Sequence, residues 1–143
     1  MRLLFVGAVR LLLVAVALVV GAASALAAGN LAARPDDLEI IMKDDLTFSK
    51  YEFKLETGKY YRLTLKNVGT EEFQFRADDF WRNTFINEIK IGDLEIHPLA
   101  LHDVEFDDEG EMLIFFVPIR PGDYDFWVDG MEERGMKGKF IVR

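Results

Sequence analysis

Over much of the stretch from Leu38 to Val142 the chain is written in a period of two. Tyr61, Leu63 and Leu65 alternate with Arg62, Thr64 and Lys66. Tyr124, Phe126 and Val128 alternate with Asp125, Trp127 and Asp129. Successive side chains of a strand point to opposite faces, so this alternation specifies strands with one buried side. Turn signals separate the runs: Thr57-Gly58, Asn67 to Thr70, the acidic Asp107 to Gly110, and Arg120-Pro121-Gly122-Asp123. Leu38 to Met42, the stretch punctuated by Phe48, Tyr51, Phe53 and Leu55, Glu71 to Phe75, Val104 with Phe106, Glu111 to Val117, and Lys139 to Val142 supply further strands. Seven or eight short strands between turns predict an all-β antiparallel sandwich or barrel over residues 38–143.

Residues 77–102 carry a weaker pattern. Helix is allowed over 78–88, where Phe80, Trp81, Phe85 and Ile86 sit among polar residues. Ile89, Ile91, Leu94 and Ile96 read as extended.

The first 27 residues read as an address. Arg2 and Arg10 flank an apolar run, Leu11 to Val20, and small residues end in Ala25-Leu26-Ala27. That pattern is a Sec-type secretory signal peptide, 1–27, with an uncleaved membrane anchor as the rival. Residues 28–37 form a polar, flexible lead. Cleavage takes away two arginines and no acid, moving the net charge from −8 to −10. The expected location is the bacterial periplasm. So acidic a chain is not a nucleic-acid binder. The chain holds no cysteine and two histidines. Disulfides, zinc-thiolate sites, cysteine nucleophiles and a lipid anchor on an N-terminal Cys are thereby excluded.

Three segments together resemble the cupredoxin family: Leu55 to Gly69, Pro121-Gly122-Asp123-Tyr124-Asp125-Phe126, and Gly135-Met136-Lys137-Gly138 to Val142. The resemblance implies a Greek-key β-sandwich. It also maps the four type-1 copper positions onto Glu72, Val128, Met131 and Met136. A blue-copper centre needs a thiolate and two imidazoles, so a blue-copper electron carrier is excluded by composition. Asn67 to Phe73 is similar to the EfeO-type periplasmic cupredoxin-like domain, which implies handling of iron or copper ions beside a membrane permease or oxidase.

On this resemblance the candidate metal ligands are Glu72, Asp129, Met131 and Met136. Carboxylates suit harder ions such as iron, while thioethers suit Cu(I). Glu132 and Glu133 extend the carboxylate option, and the competing reading makes the methionines packing residues. His97 and His102, with Asp103, form a second pair to weigh. Asp107 to Glu111 lacks the ligand spacing of a calcium loop. No nucleophile motif is present, and Asp78 and Asp79, as neighbours on a strand, would point to opposite faces and make a poor acid–base pair. The chain is expected to be a non-enzymatic metal-handling accessory of a transport system, without a small-molecule substrate. The alternative is a metal-free interaction subunit of a periplasmic or inner-membrane complex, anchored by Trp81, Phe85 and Trp127.

Overall fold

A computed structural model describes residues 30–143. The expected signal peptide and the first two residues of the lead lie outside that range. Among the described residues, no helix is long and apolar enough to cross a membrane.

Eleven strands form two sheets. In chain order they are β1 (Asp36–Lys43), β2 (Thr47–Phe48), β3 (Glu52–Leu55), β4 (Tyr61–Asn67), β5 (Phe73–Arg76), β6 (Thr84–Ile91), β7 (Leu94–Ile96), β8 (Asp103–Phe106), β9 (Gly110–Pro118), β10 (Gly122–Val128) and β11 (Lys137–Val142). The first sheet runs β2-β1-β4-β9-β6-β7 and the second β3-β11-β10-β5-β8. Two pairings, β1 with β4 and β11 with β3, are parallel; the rest are antiparallel. The two sheets face each other across one aromatic core. Phe53, Phe75, Phe80, Phe116, Phe126 and Phe140 are all buried in it.

The predicted all-β sandwich is what the chain forms, and most strands coincide with the alternating runs. The stretch 48–55 is the first difference. It breaks at Ser49–Tyr51 into β2 and β3, which belong to different sheets. Residues 77–102 are the second. Helix is confined to α1 (Asp78–Arg82), and β6 begins two residues later. A bulge shifts the β6–β9 register between Ile86 and Glu88. It turns Ile86 and Ile89 inward although they are three apart, which hides the period of two.

The Pro121-Gly122 turn has a physical reason for its spacing. The Tyr124 ring lies over Gly122, where a Cβ would come within 2.8 Å of Cζ. Its hydroxyl donates to the Arg120 carbonyl at 3.0 Å. A residue without a side chain lets the tyrosine fold back and tie down the turn that starts β10.

Candidate functional site

The candidate site is at the end of the sandwich where β4, β9 and β10 meet their turns. Asn67 is the fully buried polar residue that builds it. Its amide oxygen accepts the Gly69 N–H at 3.0 Å. Its amide nitrogen donates to the carbonyls of Glu71 at 2.8 Å and Asp108 at 3.1 Å. One side chain thus locks the 67–72 turn to the 107–110 turn. From outside, the Asp44 carboxylate accepts the N–H groups of Thr70 and Glu71 at 2.9 and 3.2 Å. Asn67→Ala leaves three backbone groups without partners. It is expected to cost about 2 kcal/mol, read as a lower urea midpoint at unchanged m.

The turn delivers Glu72 to the first position of β5's exposed side. Phe73 and Phe75 are buried, so Glu72 shares the outer face with Gln74 and Arg76. The register sets Gln74 against Glu105 on β8. Carboxylate oxygens of Glu72, Glu105 and Asp107 therefore lie within 4.8 Å of one another, all three residues being exposed. The hydrogen bond to Glu72, then desolvation and the negative charges around it, raises the Glu105 pKa above the usual carboxylate range. Among the described residues, no lysine, arginine or histidine ion-pairs with any of the three.

The β10–β11 loop closes the same end. The Val128 N–H donates to the Met136 carbonyl at 3.1 Å, and the N–H groups of Met131 and Met136 donate to Val128 and Met131. A short 3₁₀ turn, Glu132–Arg134, ends at Gly135, whose φ of 98° is left-handed. Val128 and Met136 are buried in the core, and Met131 packs against it from a half-buried position. The interior positions that the resemblance maps to copper are thus lined with apolar side chains.

The four candidate ligands occupy different settings. Met131 and Met136 go to the core side. Glu72 faces Glu105 and Asp107. Asp129, also on the outer face, forms an ion pair with Arg76 at 3.5 Å and accepts the Trp127 indole N–H at 3.4 Å. Glu132 and Glu133 are on the 3₁₀ turn.

Arg76 is a hub that sequence reading missed. It grips Asp78 with two nitrogens at 3.2 and 2.6 Å. It lies 5.5 Å from the Trp127 ring centroid and 3.4 Å from His102 Nε2. The Arg76 hydrogen bond holds the Asp78 carboxyl below the usual carboxylate range. Trp127 is therefore half covered, and Trp81, 4% exposed, is a core residue packed on Phe80 and Phe116. Neither stands exposed as the alternative reading expects; Phe85, at 49%, does.

His97 and His102 do not meet as a pair. His102 belongs to the Arg76 group, next to Asp103. His97 sits between the Asn87 carbonyl at 3.0 Å and Glu95 at 3.1 Å, and the Asn87 carbonyl, then Glu95, raises its pKa. Glu88, Glu95 and His97 form a second compact group. Lys90 already occupies it, 3.2 Å from Glu88 and 3.5 Å from Glu95.

No protein-family profile and no curated protein matches this chain. Solved structures do. Copper-containing nitrite reductase from Thermus scotoductus superposes with a TM-score of 0.60 at 14% identity, over 79% of this chain and 32% of that one. The Campylobacter jejuni multicopper oxidase gives 0.55 at 12%, over 77% and 30%. Auracyanin A, the "blue" copper protein of Chloroflexus aurantiacus, gives 0.51 at 15%, over 77% of this chain and all of its own. The chain has the cupredoxin fold. It spans about a third of the oxidase and reductase chains and the whole of auracyanin A. Identities this low carry the fold and nothing of the chemistry.

Proposed function

We propose that this cupredoxin-fold chain is an exported, non-catalytic metal-handling protein that holds a hard ion, iron in the first place, at Glu72, Glu105 and Asp107. The supporting observation is one arrangement: three carboxylates within reach of a single ion and without a cation of their own. Oxygen donors suit iron, manganese and calcium better than copper. A resident cation would take the place of the proton in the Glu72–Glu105 hydrogen bond that, with desolvation and the surrounding negative charges, raises the Glu105 pKa. Glu72 is the anionic anchor, at the position of the first copper ligand. The buried Met136 with the half-buried Met131 is the softer option, suited to Cu(I), and Asp129 stays with Arg76. The proposed cellular role is delivery to a membrane permease or oxidase in the periplasm.

Calorimetric titration of the purified protein with Fe(II), Fe(III), Cu(I), Cu(II) and Zn(II) tests this. Micromolar or tighter iron binding is expected, weakened at least roughly tenfold by Glu72→Gln or Glu105→Gln. Because the ion competes with a proton on Glu105, affinity is expected to fall as the pH is lowered through that group's raised pKa. Copper(I) binding lost on Met131→Leu but indifferent to Glu72→Gln would move the site to the methionines. Binding unchanged in the triple variant E72Q/E105Q/D107N would sink the carboxylate site.

A further inference from the structure

The free edge of the first sheet carries a different message. β7 is its last strand, and among the described residues nothing pairs with its outer side. All three of its residues are exposed. Leu94 pairs with Ile91 and Ile96 with the buried Ile89, so these apolar side chains point to the inner face of the sheet. The second sheet does not reach far enough to cover them: Ile91, Leu94 and Ile96 are 43, 66 and 44% exposed. An uncharged apolar ledge beside an unpaired strand edge is a surface that proteins normally cover.

The backbone geometry determines what can cover it. β6 and β7 are joined by the two residues Gly92 and Asp93, and Gly92 has a φ of 56°. In such a tight hairpin the closing pair, Ile91–Leu94, is hydrogen-bonded, and the pairs alternate from there. Lys90–Glu95 is then a non-bonded pair, which leaves the N–H and C=O of Glu95 pointing to the free edge. Continued one residue past the end of β7, the same alternation would send those of His97 outward.

We propose that β7 is the self-association edge of this protein, pairing antiparallel with β7 of a second copy about a two-fold axis at Ile96. Two registers satisfy the outward-facing groups of Glu95. One sets Glu95 against the second copy's Glu95, placing like charges opposite each other. The other sets Glu95 against the second copy's His97, twice by symmetry, with Ile96 against Ile96 between them. Like charges directly opposite destabilise a strand pair, whereas a carboxylate opposite an imidazole gains a hydrogen bond when the ring is neutral and an ion pair when it is protonated, so the second register is selected. Glu95 and His97 already share one face, 3.1 Å apart, so each histidine comes to lie between two glutamates. On the other face Ile91, Leu94 and Ile96 of both copies join into one apolar strip. This interface is independent of the metal reading.

Sedimentation of the protein, expressed from its full-length coding sequence, tests the proposal across a concentration series. A dimer at tens of micromolar is expected. Ile96→Glu and His97→Glu should each weaken it at least roughly tenfold. The swapped variant E95H/H97E should restore it, which simple loss of apolar area would not predict. Circular dichroism confirms that each variant is folded; all three positions are exposed. A monomer at every concentration, a dimer indifferent to Ile96→Glu, or no rescue by the swap would overturn the proposal.

Discussion

Replacing Gly138 with alanine is expected to lower the folding free energy by about 3–4 kcal/mol and Tm by roughly 10–15 °C. Gly138 is opposite Phe126 in the β10–β11 ladder. A Cβ there would drive into the Phe126 ring and lie 2.6 Å from the Tyr51 carbonyl oxygen. The ring is held by core neighbours and the carbonyl by its bond from the Lys139 N–H at 2.8 Å. Neither can step aside cheaply. Overpacking usually costs 1–3 kcal/mol, and two rigid obstacles put this position at or above the upper end. Thermal unfolding followed by circular dichroism measures it. A loss below about 1 kcal/mol would show that β3 can move away from β11.

Phe126→Ala should be as damaging for the opposite reason, about 3–5 kcal/mol. Phe126 is fully buried. Its ring centroid lies 4.8 Å from that of Phe140, 5.3 Å from Phe48, 5.7 Å from Phe75 and 6.0 Å from Phe53. Those neighbours come from β2, β3, β5 and β11, so the two sheets cannot collapse onto the vacated space without shifting several strands. Phe126→Leu should cost much less. The pair also couples. In Gly138→Ala/Phe126→Ala the cavity admits the new methyl, so the double variant should lose less than the sum of the two singles. Urea unfolding of all four proteins closes the cycle, and strict additivity would refute the shared-space account.

The strands were legible because burial on one side imposes a period of two, and most of the chain obeys it. The failures have local causes. At β6 the bulge places Ile86 and Ile89 on the same side, a spacing that reads equally well as helix. Trp81 lies among Asp78, Asp79 and Arg82 in the short helix, and its ring on Phe80 and Phe116 makes it core filling, which removes it only from the alternative reading's anchors. The candidate site was half legible. Turn residues 67–70 located Glu72 at the start of a strand. Its companions Glu105, on β8, and Asp107, in the turn that follows it, come more than thirty positions later, and only the β5–β8 register brings them together. Arg76 claims Asp129 in the same non-local way. Alternation identifies which side of a strand a residue occupies; it carries no information about which strand lies next to it.

The two parallel pairings have a practical consequence for tethering. β1 enters beside Tyr61, at the start of β4, and β11 leaves beside Leu55. Arg143 exchanges backbone bonds with Leu55 and Thr57. Both ends of the folded domain thus emerge from the end opposite Glu72, Glu105 and Asp107. Whether the chain is fixed to a support through a tag at Arg143 or through the segment before Asp36, the carboxylate end faces outward, so either immobilisation leaves it open to an approaching ion.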